Sequence, residues 1–125
     1  MTTLNHVNLA TSDVPALIHF FEAGFGFHIA VQRGNGNFAV LLNSDGFVLT
    51  LMYDKTATAN PYPSTFHIGF LVSSADIVHE HHARLHAAGF NPPSPTILQR
   101  GGGKTFGFYC AAPGGIFVEI STLAD

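Results

Sequence analysis

Apolar and polar positions alternate with a period of two along most of this chain and change to a helical period in two places. "LNHVNLA", residues 4–10, reads as a short strand. "TSDVPALIHFFEAGFGF" then carries the apolar spacing of a helix: Ser12 or Asp13 caps it, Pro15 sits in its first turn, and Gly24 or Gly26 stops it. "HIAVQR", "NFAVLLN" and "GFVLTLMY" follow as three strands, separated by the turn signals "GNGN" at 34–37 and "NSDG" at 43–46. The same order then recurs. "FHIGFLV" reads as a strand, "SSADIVHEHHARLHAAGF" as a helix ending at Gly89, and "TILQ", "TFGFYCA" and "GIFVEIS" as strands.

The two halves are an internal repeat. Aligning His6 with His67 places "HVNLA" on "HIGFL". Asp13 to Gly26 and Asp76 to Gly89 are both 13 residues apart (26 − 13 = 89 − 76 = 13). Gly46-Phe47 then falls against Gly115-Ile116, and Thr50 against Glu119. "KTATANPYPST" at 55–65 is the linker. The expected fold is α+β, two βαβββ modules forming a curved mixed sheet around a pocket. The expected organisation is one domain over residues 1–125, with module 1 about 1–54, the linker about 55–65 and module 2 about 66–125. One helix per module covers one sheet face, and the other face is left for the pocket.

That face holds the candidate chemistry. Along a strand, alternate side chains share a face. His6 and Asn8 therefore go together, as do Thr50 and Met52, and Phe117 and Glu119; His67 stands where His6 does. Glu119 is the anomaly, a carboxylate between Val118 and Ile120 in an apolar strand. An unpaired carboxylate in such a place tends to take up a proton, so Glu119 either points to water or has a cationic partner. No Lys or Arg lies near it in sequence, and a metal ion is the other kind of partner. Two imidazoles and one carboxylate on a concave sheet can hold a divalent ion and leave positions for water or substrate.

Composition narrows the partners. Charged residues are 10% of the chain, against about 25% in ordinary soluble domains, so part of the surface is expected to be covered in a homodimer. The net charge is −3 and no basic patch exists, which argues against nucleic acid. No apolar run reaches the roughly 18 residues of a membrane span, and no signal-peptide pattern opens the sequence. The single Cys110 fits a reducing, cytoplasmic location, and its place beside Tyr109 turns it to the helix side as a core thiol. His79, His81, His82 and His86 follow helical spacing. They read as a His-rich outer face, with His81 partly buried and a second metal site as the alternative. His19 and His28 read as structural or exposed. "RGGGKTF" lacks the strand–loop–helix context of a phosphate-binding loop and is expected to form a mobile loop over the pocket.

"LNHVNLATSDV", "FFEAGFGF", "FHIGFLV", "HARLHAAGF" and "FYCAAPGGIFVEI" together resemble the vicinal oxygen chelate superfamily, which holds glyoxalases, extradiol dioxygenases, fosfomycin-resistance enzymes and bleomycin-binding proteins. The resemblance implies a divalent metal on His6, His67 and Glu119, and a homodimer that often shares each site between subunits. It implies Fe2+ first, with Mn2+, Zn2+, Ni2+ or Mg2+ as alternatives. Glyoxalases use a fourth ligand where this chain has Thr50. Fosfomycin enzymes carry a Thr where this chain has Asn8, and a Lys- and Ser-bearing loop where it has "QRGGGKTF". Extradiol dioxygenases share the two His, the Glu and a Tyr at the place of Tyr109, whereas Met52 and Tyr53 stand where their acid–base His lies. Sequestering members usually lose the ligands that this chain keeps. The resemblance therefore ranks a metal-dependent, dioxygenase-like enzyme first. Tyr109 would donate to a developing oxyanion, and Asn8, Thr50, Met52 and Phe117 would meet a small organic substrate. A binding protein that traps a flat or aromatic antibiotic, using some of the 12 Phe as walls, and a fosfomycin-resistance-like transferase are the alternatives.

Overall fold

A computed structural model describes residues 1–58, 61–100 and 102–124, the side chain of Arg100 excepted. The first module runs β1 (His6–Thr11), α1 (Val14–Phe25), β2 (His28–Arg33), β3 (Phe38–Leu42) and β4 (Val48–Tyr53). The second runs β5 (His67–Leu71), α2 (Ala75–Ala87), β6 (Thr96–Arg100), β7 (Gly103–Ala112) and β8 (Ile116–Ala124). Each module is its own four-stranded mixed sheet, in the order β1-β4-β3-β2 and β5-β8-β7-β6. Within each, the first and last strands are parallel and the others antiparallel. The α+β fold of two βαβββ modules expected from the pattern is present, with the strands of each module paired among themselves.

Local chemistry sets the helix bounds. The Asp13 carboxylate accepts the Ala16 amide at 3.1 Å, Pro15 occupies the first turn, and Gly26 ends α1 in the left-handed region at φ 71°. Ser74 caps α2 through the Ile77 amide at 3.3 Å. Leu17, Phe20 and Phe21 of α1 are fully buried, as are Val78 and Leu85 of α2. Odd-numbered residues of the first sheet, among them Leu9, Leu41, Leu49 and Leu51, pack beneath the helices. Val118, Ile120, Phe108 and Cys110 do the same in the second sheet. The core runs through both modules: the Phe70 ring of β5 lies 5.4 Å from Phe25 and 5.9 Å from Phe27. The sheet faces opposite the helices stay open, and the candidate residues stand there.

One expectation fails here. Of "RGGGKTF", Arg100 belongs to β6 and Gly103, Lys104, Thr105 and Phe106 to β7, rather than to a loop over the pocket. The ladder continues through Gln99 opposite Lys104 and Arg100 opposite Gly103, and Gly103, at φ 141°, takes a backbone conformation that other residues avoid. Gly101 lies outside the described residues.

Candidate metal centre

β8 lies between β5 and β7. Gly69 stands opposite Glu119 on one side and Tyr109 on the other, with His67 opposite Phe117. His67 Nε2 is 3.8 Å from Glu119 Oε1. On the far side of the ring, His67 Nδ1 lies 3.1 Å from the Thr65 carbonyl oxygen. A carbonyl oxygen only accepts, so Nδ1 carries the hydrogen and the neutral ring keeps its lone pair on Nε2. An imidazole lone pair and a carboxylate oxygen then face each other, an arrangement that a proton or a cation holds together. Nitrogen and oxygen ligands sit about 2.0–2.2 Å from a divalent ion, and 3.8 Å is less than twice that reach, so one ion fits both.

The surroundings favour that use. Glu119 is only 6% exposed on an otherwise open face. Gly69 leaves the room for it: a Cβ there would lie 3.2 Å from Glu119 Oε1. The His67 ring meets the half-buried Tyr109 ring edge-on at 5.3 Å. Phe117, Ser64 and Thr65 complete an open depression of about 460 Å3 beside them.

The first module repeats the lattice with different side chains. Asn8 stands opposite Thr50, as Gly69 stands opposite Glu119, and this register carries the repeat alignment into three dimensions. His6 Nδ1 is held by Asn5 Oδ1 at 2.8 Å, so His6 also keeps its lone pair on Nε2. Thr50 Oγ1 donates to Asn8 Oδ1 at 2.7 Å, so the place matching the carboxylate holds a committed hydroxyl. His6 is exposed on this sheet, and the chain does not bring it to the other pair. Among the described residues, no three His, Cys, Asp or Glu side chains of one chain group to hold a metal. Met52 is 46% exposed near the end of β4, away from the depression that Phe117 lines.

The remaining candidates take structural places. His81 Nδ1 donates to the Gly24 carbonyl at 2.8 Å, and burial holds its pKa below the ordinary 6.5. His82 Nε2 bonds the Pro92 carbonyl at 3.2 Å, and its ring stacks 6.4 Å from that of His86. His79 lies over Phe106 at 5.5 Å. His82 and His86 face each other, but among the described residues no three of the four group to hold a second metal. Cys110 is fully buried, which pushes its thiol up to about 11. The residue missed in the sequence is Gly69. Its signal was present, since the repeat sets it against Asn8, opposite the Thr50/Glu119 position.

No curated protein matches the sequence. Among solved structures, the chain is similar to a possible glyoxalase from Bacillus cereus, with 37% identity over 97% of this chain and 99% of that one, at a TM-score of 0.77. It shares the fold of a lactoylglutathione lyase from Agrobacterium tumefaciens, with 19% identity, 98% and 94% coverage and a TM-score of 0.72. It also shares the fold of a genomically encoded fosfomycin resistance protein from Listeria monocytogenes, with 18% identity, 99% and 95% coverage and a TM-score of 0.73. No helix among the described residues is long and apolar enough to cross a membrane. The family model for the glyoxalase/bleomycin resistance protein/dioxygenase superfamily matches residues 3–120, and the chain belongs to that superfamily.

Proposed function

We propose that this protein is a metal-dependent enzyme acting on a small organic molecule with two neighbouring oxygens. His67 and Glu119 of one chain and His6 of a second copy would hold the ion in a homodimer. The observation that carries the reading is the 3.8 Å approach of His67 Nε2 to Glu119 Oε1, with Nδ1 engaged by Thr65. His6 supports it, because it occupies the equivalent place on a second open face and its Nδ1 is likewise engaged. A second copy supplies the third ligand that one chain does not bring to the pair.

A bound divalent ion would polarise the two substrate oxygens as a Lewis acid. The protein does the rest. Gly69 keeps the space in which Glu119 turns. Phe117 gives an apolar wall, and Tyr109, beside His67, donates its hydroxyl hydrogen to a developing oxyanion. Thr50 is bonded to Asn8, so the protein contributes three ligands, an arrangement suited to Fe2+ and oxygenase chemistry. Ring-cleaving dioxygenase activity therefore ranks first. Anaerobic loading with Fe2+, then oxygen uptake with a panel of catechols and hydroquinones, tests it. Turnover with at least one compound is expected, and Tyr109→Phe should lower kcat by about 10²-fold with less effect on KM. Phe117, 36% exposed beside Tyr109, also suits the trapping of a planar antibiotic. Tight binding of such compounds by metal-free protein, with no compound consumed, would put that reading in its place.

A further inference from the structure

The open face of the first sheet has a charge that the site described above does not use. β2 pairs with β3 through a bulge between Ile29 and Val31, which brings Val31 opposite Val40 and Arg33 opposite Phe38. Phe38 in turn stands opposite Met52, and Val40 opposite Thr50. Arg33 thus shares the face of His6, Asn8, Thr50 and Met52. Its guanidinium lies over the Phe38 ring, 4.9 Å from the centroid, an arrangement that turns it inward over the sheet. None of the strand residues on this face is acidic. Among the described residues, Arg33 makes no ion pair. It is one of only five Lys and Arg in the chain.

Asn8 adds directed donors. Its Oδ1 is turned to the Thr50 hydroxyl, so its amide hydrogens point the other way, onto an exposed surface. This wall thus offers hydrogen-bond donors and positive charge, while the opposing module offers the carboxylate. We propose that Arg33 is a specificity-determining residue that binds an oxyanion, a carboxylate or a phosphonate, on the substrate. The proposal rests on the reading of this face as a substrate wall. β3 is two strand spacings from β1, and Phe38 is level with Met52 and Ala10, four residues along β1 from His6, so the anion would lie roughly 16 Å from His6. The substrate would then be an elongated acid, with its paired oxygens at one end and its anion at the other. Arg33 and Phe38 hold the anion, and Asn8 donates to an oxygen nearer the centre.

The test uses a catechol whose unbranched alkyl chain is long enough to carry a terminal carboxylate that distance from the diol, its phosphonate counterpart and the matching alkylcatechol, which share one diol and differ in the anion. Each is titrated into 15N-labelled full-length protein, treated with EDTA and again after addition of Zn2+, and followed by NMR. An acid should bind about tenfold tighter than the matching alkylcatechol and shift the Arg33 Nε–H and Asn8 amide resonances. The tighter of the two acids names the oxyanion. Arg33→Met keeps the stem on Phe38 and should abolish the preference, whereas Arg33→Lys should keep part of it. Equal affinities for acid and neutral compound, or a preference that survives in Arg33→Met, would overturn the proposal. Zn2+ content, measured on the same samples, reports on the metal centre separately, so a failure here is distinguishable from a failure of the enzyme reading.

Discussion

Glu119 and Gly69 are one device made of two residues: the carboxylate turns into space that only a missing Cβ provides. Gly69→Val should therefore displace Glu119 and weaken metal binding by roughly 10–100-fold, as loss of ligand support does elsewhere, while the strand itself is retained. Metal titration monitored by calorimetry, beside the far-UV spectrum, checks it; unchanged affinity would contradict the role. Cys110 gives the opposite kind of expectation. Its thiol is buried and raised to about 11, so it should resist a thiol reagent at pH 8 in the native state and react once unfolded. The sequence carried much of this scale. A carboxylate in an apolar strand and two His at matched places point to a site without any coordinates. It did not show which acceptor holds each Nδ1, because Asn5 and Thr65 lie just before β1 and β5, outside the strand periodicity.

At the scale of elements, α1 and α2 lock the modules together, and the contact is tight. A Cβ on Gly24 would overlap the Leu85 side chain, so Gly24→Ala should cost about 1–3 kcal/mol in urea unfolding. Beside it, His81 spans from α2 to the Gly24 carbonyl and rests on Phe25 at 5.5 Å. Burial lowers its pKa first of all, and Arg84 works in the same direction, against the Gly24 carbonyl and Glu80. The folded state thus binds fewer protons at His81 than the unfolded chain. Its contribution to stability is present above the ordinary value of 6.5 and is lost as pH falls from there towards the lower folded value. The thermal midpoint should fall between pH 7.5 and 5, and His81→Gln should flatten that slope. An unchanged slope would remove His81 from the account. Strands and helices were legible because caps, glycines and period-two runs are local signals. "RGGGKTF" was misread because a glycine run looks the same beside paired strands and in a long loop. Helix-to-helix packing was not legible either: nothing in the order of residues announces that Gly24 faces Leu85.

The whole molecule poses the remaining question, since one chain has two open sheet faces and only one of them bears the carboxylate. The repeat was visible in the sequence and the register reproduces it, Asn8 with Thr50 and Gly69 with Glu119. The division into two separate sheets was not visible, because strand order across modules depends on how the modules pack. A shared centre makes an unusual prediction for mixed assemblies. His6→Ala and His67→Ala proteins should each lose metal, since each lacks one ligand at every site. Unfolded together and refolded as an equal mixture, half of the dimers would be mixed. Each of these would join one intact His67–Glu119 pair to one intact His6. Metal content per chain, measured by elemental analysis after dialysis, should then recover to roughly a quarter of the wild-type value. A mixture that stays metal-free, or a His67→Ala protein that keeps its full metal content, would contradict the account.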